Sequence, residues 1–135
     1  MKNLCYESTS DCMLKCPYCI SSDNGIMEKD RYLEIIDFIG ELLPERLVIG
    51  GGEPLIDPLL KEKITLIIKK YHEANKEPYI SLSTNAASPI TQDMWLFLKN
   101  TIQCLDISIP SLYHDIYAQM RGIELLDQVL INIKK

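Results

Sequence analysis

Asp11-Cys12-Met13-Leu14-Lys15-Cys16-Pro17-Tyr18-Cys19 decides how this chain of 135 residues is read. Three cysteines at C-x3-C-x2-C spacing can wrap three thiolates around one small inorganic cluster, yet they supply one ligand too few to close it. Iron–sulfur cubanes are normally held by four thiolates. A site that stops at three leaves one metal position open, and open positions are where substrate or cofactor chemistry takes place. Two other uses of these cysteines stand beside this one. Cys5, Cys12, Cys16 and Cys19 make up the four thiolates of a structural zinc site, although zinc ligands usually come as two close couples and Cys5 lies in what reads as a strand. Disulfides fit poorly with five cysteines, an odd count, and with an N-terminus that has no apolar secretory core.

Outward from this run, short strand-like and longer helix-like segments alternate, the pattern of an α/β protein with a parallel sheet. Leu4 to Glu7 is a short first strand that leads into the cysteine loop, and Asn24-Gly25 punctuates the end of that loop. Asp30 is placed to cap a helix reaching Leu43, with Tyr32, Ile35, Ile36, Ile39, Leu42 and Leu43 on one stripe, and Pro44 stops it. Arg46 to Ile49 forms a second strand that runs into Gly50-Gly51-Gly52. Asp57-Pro58 starts a second helix, with proline at an early position where its missing N–H costs nothing; Leu59, Ile64, Ile67, Ile68 and Tyr71 mark its apolar face to about Ala74. Tyr79 to Ser83 is a third strand ending in Thr84-Asn85. Thr91 caps a third helix with Met94, Trp95, Phe97 and Leu98, Gln103 to Ile109 is a fourth strand, and a last helix covers about Glu124 to Lys134. No linker or low-complexity stretch interrupts the chain, so residues 1–135 read as a single domain of four βα units.

In open α/β sheets and barrels, ligands sit at the carboxyl ends of the strands. The cysteine loop, Gly51-Gly52-Glu53-Pro54, Thr84-Asn85 and Ser108 all fall there, after strands one to four in turn. Each is weaker alone than together. Gly51 and Gly52 permit close backbone approach, and an ionised Glu53 accepts hydrogen bonds only, which suits it to organise a glycine-rich turn or to meet an ammonium. Thr84, Asn85 and Ser108 are also common turn formers. Tyr18 has a plain alternative as a packing aromatic, as have Cys5 and Cys104 as strand residues, and His72 stands on a lysine-rich helix face.

With these motifs in this order, nearly the whole chain resembles the radical S-adenosylmethionine (radical SAM) superfamily. The resemblance implies a [4Fe–4S] cluster on Cys12, Cys16 and Cys19 and S-adenosylmethionine (SAM) as second cofactor. It implies SAM contacts from Tyr18, Gly51, Gly52, Glu53, Pro54, Thr84, Asn85 and Ser108. It further implies an electron donor such as a flavodoxin or ferredoxin, and generation of a 5′-deoxyadenosyl radical that abstracts hydrogen from a substrate, as an oxidoreductase does. The motif details look more like the peptide- and cofactor-maturing branch, so a peptide or small molecule is the expected substrate class. The alternatives are a short activase of glycyl-radical enzymes, or an iron–sulfur-binding fragment or partner protein without turnover. Two departures stand out: Ala86 follows Asn85 where relatives often have glycine, and Pro110 stands where they commonly carry aspartate. The stretch from Tyr113 to Gly122 resembles the segment after the fourth strand in peptide modifiers; there His114 and Arg121 read as substrate contacts or, more plainly, as a solvated helix and loop.

A core of this family is typically a six-unit partial barrel, whereas a βαβ unit takes roughly 30 residues, so this length holds about four. The expectation is therefore an incomplete, TIM-like partial barrel whose fourth strand presents an open edge. Self-association or a partner chain is expected to cover that edge, because unpaired edges invite pairing. A net charge of −5 argues against a general phosphate-binding footprint for nucleic acid and leaves a small anionic ligand open. No apolar run is long enough to span a bilayer, and a cytoplasmic, reducing location follows as the expectation for free thiols.

Overall fold

The structure is a computed structural model describing residues 2–19 and 28–135; Asn24-Gly25 lies outside the described residues. Its elements run β1 (Asn3–Thr9), α1 (Lys29–Leu42), β2 (Arg46–Gly51), a short 3-10 turn (Pro54–Ile56), α2 (Leu60–Glu73), β3 (Ile80–Thr84), α3 (Gln92–Thr101), β4 (Cys104–Ile107), α4 (His114–Arg121) and α5 (Leu126–Ile133). All strand pairings are parallel, in the order β1-β2-β3-β4. Parallel neighbours need a crossover, and a helix supplies it between successive strands. The fold is thus α/β with four βα units, a partial barrel, and β4 pairs only with β3 among the described residues.

Register separates the two faces of the sheet. Tyr6, Ile49, Leu82 and Leu105 form one row across all four strands. Leu47 and Ile80 extend it, and α1 and α2 cover it with Tyr32, Ile36, Ile39, Ile64, Ile67 and Tyr71, all buried in one core. The alternating row is Cys5, Val48, Ser81 and Cys104. On that polar side Arg46 donates to Ser81 Oγ at 2.8 Å and faces Asp106 at 3.7 Å. Cys5 is exposed and Cys104 half-buried, so the reading of Cys5 as a packing residue is corrected.

Helix starts depart from sequence expectation in two places. α1 begins at Lys29 with Glu28 as its cap and no side-chain cap hydrogen bond, so Asp30 sits inside the first turn, where its charge favours the helix dipole. α2 begins at Leu60 rather than at Asp57-Pro58. Asp57 Oδ1 accepts from Leu59 N–H at 2.9 Å, a local turn, while Oδ2 accepts from Lys63 Nζ at 2.6 Å. Lys63 is fully buried, also donates to the Ser8 carbonyl at 2.8 Å, and lies 5.1 Å from the centre of the Tyr32 ring. α2 is thereby tied to the end of β1, immediately before the cysteine loop. Thr91 does cap α3, accepting from Met94 N–H at 3.1 Å. β4 stops at Ile107, short of the expected Ile109. No helix among the described residues is long and apolar enough to cross a membrane.

Removing one member of a buried ion pair leaves the other charge uncompensated. Lys63→Ala is expected to lower the unfolding free energy by about 3–5 kcal/mol, read from the urea midpoint. Lys61→Ala breaks only a partly exposed pair with Asp93 and should cost under about 1 kcal/mol. Equal effects of the two substitutions would contradict the role given to Lys63.

Candidate functional site

The strand ends converge. A cavity of about 470 Å³ is lined by Cys12, Cys16 and Cys19 of the cysteine loop, by Gly50 to Gly52 at the end of β2, by Thr84, Asn85 and Ser108 at the ends of β3 and β4, and by Tyr18 and Arg121. That volume falls in the usual range for small-molecule sites. Of the residues singled out in the sequence, Glu53 and Pro54 are the ones outside this lining; both are buried behind it.

Glu53 explains why. Its Oε1 accepts from Leu55 N–H at 3.0 Å and from the Thr84 hydroxyl at 2.6 Å, and its Oε2 accepts from Asn85 N–H at 2.7 Å. The carboxylate is turned into the protein and joins the end of β2 to the end of β3. Burial pushes its carboxyl up, against the pull of the Thr84, Asn85 and Leu55 donors and of the Arg121 charge. Backbone pairs join the cysteine loop to the same turn: Gly52 N–H donates to the Thr9 carbonyl and Glu53 N–H to the Asp11 carbonyl, each at 2.7 Å. Such approach requires glycine. A Cβ on Gly52 would lie 2.2 Å from the Asp11 oxygen and 2.5 Å from the Ser10 oxygen, and Gly51 has φ +120°.

Nitrogen donors reach the Cys12 and Cys16 thiols. Leu14 N–H donates to Cys12 Sγ at 3.4 Å, Asn85 Nδ2 to the same sulfur at 3.5 Å, and Arg121 Nη1 to Cys16 Sγ at 3.7 Å. Burial pushes the Cys12 thiol up and the Leu14 N–H pulls it down. Arg121 is buried, not solvated as its helix suggested. Its Nη2 donates to the Ser108 carbonyl at 2.6 Å and to Ser108 Oγ at 2.7 Å, and Lys15 N–H donates to the Arg121 carbonyl at 2.9 Å. The Arg121 Nε is buried without a hydrogen-bond partner. His114 instead faces outward, with Nδ1 3.0 Å from Glu124 Oε1. Arg121 was hard to weigh from sequence because the one cue was its place in a helix late in the chain; nothing local announces that the helix end folds back onto the cysteine loop.

The residues present suit an iron–sulfur cluster. Three free thiols line one cavity, and N–H donors reach the Cys12 and Cys16 sulfurs. Among the described residues, no group of three or more His, Cys, Asp or Glu side chains is drawn together for a single metal ion. Cys5, which the zinc alternative needs, is exposed in the middle of β1 rather than at the strand end.

An incomplete parallel α/β barrel with a three-cysteine loop over its strand ends defines a class, and comparison with known proteins places the chain within it. The Radical SAM superfamily model matches residues 6–135. The chain belongs to the radical SAM superfamily, a family of enzymes whose members bind a [4Fe–4S] cluster and SAM. A GTP 3′,8-cyclase of Clostridium perfringens (strain SM101 / Type A) is 26% identical over 134 residues, covering 94% of this chain and 40% of the relative. A GTP 3′,8-cyclase of Helicobacter pylori (strain ATCC 700392 / 26695) is 29% identical, with 94% and 40% covered. Among solved structures, native anSMEcpe with bound AdoMet superposes with a TM-score of 0.78 at 23% identity, covering 98% of this chain and 39% of that one. Streptococcus suis SuiB gives 0.76 at 16% identity, covering 98% and 29%. The chain thus spans about 40% of the length of these curated relatives.

The glycine geometry gives a direct check. Gly52→Ala forces the Ser10–Asp11 backbone aside and should lower the melting temperature by several degrees, as about 1–3 kcal/mol of overpacking would. Gly50→Ala should be nearly neutral, since its nearest neighbour is Ser83 Cβ at 4.0 Å. Thermal unfolding by circular dichroism reads both, and tolerance of Gly52→Ala would refute the close approach described above.

Proposed function

We propose that residues 1–135 form one domain, the first part of a radical SAM core, in which Cys12, Cys16 and Cys19 hold a [4Fe–4S] cluster and the adjoining cavity takes SAM. One observation carries this reading: the three thiols, the glycine turn and the ends of β3 and β4 open onto the same cavity. When bound, the two cofactors together supply a 5′-deoxyadenosyl radical able to abstract hydrogen from a substrate. The protein orients them and excludes competing reactions. Gly51 and Gly52 let the ligand approach the backbone, while Glu53 and Pro54 act from behind by holding the turn. Thr84, whose hydroxyl already donates to Glu53, supports the wall. Asn85, Ser108 and the exposed Tyr18 meet the ligand from the rim. The Arg121 guanidinium, with its unpartnered Nε, gives that rim a positive charge suited to a carboxylate.

A peptide is the substrate class this reading favours, supported by the fold shared with SuiB, whose structure with the precursor peptide SuiA covers 90% of this chain at a TM-score of 0.69. The curated relatives named GTP 3′,8-cyclase support a second reading, a purine nucleotide substrate. An external donor such as a flavodoxin or ferredoxin supplies the electron, in a reducing cytoplasmic location. A second copy or a partner chain covers the outer edge of β4, supported by that strand's single pairing among the described residues.

Anaerobic reconstitution with iron and sulfide, then incubation with SAM and dithionite, tests the proposal. The wild-type chain is expected to release 5′-deoxyadenosine and Cys16→Ala to release none. Cluster absorbance without 5′-deoxyadenosine would mark an iron–sulfur protein without turnover and overturn the enzymatic reading. Faster release with added GTP would favour the nucleotide reading over the peptide one.

A further inference from the structure

Ala86 is a residue with a Cβ held at φ +53°, in the left-handed region that glycine adopts freely. It lies in the turn after β3, between Asn85 and Ala87, and the turn is buried. Inside the turn, Ala86 N–H donates to Thr84 Oγ1 at 2.9 Å and Ala87 N–H to Asn85 Oδ1 at 2.8 Å. Those bonds leave Asn85 Nδ2 aimed at Cys12 Sγ and, at 3.7 Å, at Met13 Sδ. The turn's outward carbonyls are met from the far end of the chain. Asn132, fully buried on α5, donates through Nδ2 to the Ala86 carbonyl at 2.8 Å and to the Ser88 carbonyl at 2.7 Å. Gln128 Nε2 donates to Asn132 Oδ1 at 3.3 Å, which fixes the amide with its NH2 toward the turn. Around this contact Leu126 and Val129 of α5 pack with Ala86, Ala87 and Leu14 in a second, smaller core.

We infer that Asn132 is a positioning residue of the site: by clamping the left-handed turn at Ala86 it holds the Asn85 amide on the Cys12 sulfur. A buried polar side chain that serves two carbonyls of one strained turn is a specific device, because apolar packing alone sets no particular turn conformation. The physical logic is compensation. Glycine at position 86 adopts this φ without strain, whereas alanine needs an external hold, and Asn132 supplies it. The link from the turn to the cluster rests on the cofactor reading above; the clamp itself does not.

Hydrogen exchange on the metal-free full chain tests the clamp. Asn132→Ala removes the donor to the buried Ala86 carbonyl and the half-buried Ser88 carbonyl and should speed exchange of the Ala86 and Ala87 amides about tenfold, with Leu82 in β3 little changed. Ala86→Gly in the Asn132→Ala background should recover part of that protection. Unchanged turn amides, an equal rise throughout β3, or no recovery with glycine would each overturn the inference. On the reconstituted protein, Asn132→Ala should move the cluster's midpoint potential in the same, more negative direction as Asn85→Ala, since hydrogen bonds to ligand sulfurs help set that potential. An unmoved potential alongside altered exchange would sever the turn from the cluster and overturn the positioning role. Failure of the wild-type chain to take up iron would instead defeat the cofactor reading, while the exchange data still decide the clamp.

Discussion

The site depends on one buried carboxylate. Glu53 gathers donors from the turn after β2 and from the end of β3, and its own N–H reaches into the cysteine loop after β1. Three chain segments far apart in sequence are thereby set at one height above the sheet. In a low-dielectric interior such a network is strong when complete and costly when broken, because every remaining donor would be left buried and unsatisfied. The glycines serve this arrangement: without a Cβ at position 52 the cysteine loop can lie directly on the turn. The glycine part of the cavity wall is consequently backbone, and the Glu53 side chain lies outside the lining.

A second set of contacts closes the cavity from the other side. The end of α4 folds onto the cysteine loop through Lys15 and Arg121, and Arg121 reaches the Ser108 carbonyl and hydroxyl. α5 then packs on the turn after β3. Leu14, Tyr117, Leu126 and Val129 thus form an apolar support beneath the thiols, separate from the main core under the helices. Four βα units plus this clasp organise the cysteine loop within a chain that spans about 40% of its curated relatives.

Much of this was legible in the sequence, for physical reasons. The apolar stripe of Tyr32, Ile36 and Ile39 has helical period and is buried as a face. Thr91 caps where a hydroxyl three residues before a free N–H should. The cysteine spacing is local and needs no tertiary knowledge. What escaped were side chains whose partners are distant. Nothing in the local sequence singles out Lys63, yet its ammonium finds Asp57 and the Ser8 carbonyl, 55 residues away. Asp57 meanwhile closes a turn on Leu59 N–H through its other oxygen, and α2 starts at Leu60. Arg121 and Asn132 were hidden likewise, since their targets are set by how the last two helices return to the strand ends. The orientation of Glu53 could not be read either: GGEP fixes a turn, but which way the carboxylate faces is decided by Thr84 and Asn85.

Mössbauer spectroscopy of the chain reconstituted with 57Fe, recorded with and without SAM, tests the central claim most directly. A cluster held by Cys12, Cys16 and Cys19 has one iron without a protein thiolate, so SAM should change the isomer shift of a single iron and leave the other three alone. Four irons that stay equivalent when SAM is added would contradict the account.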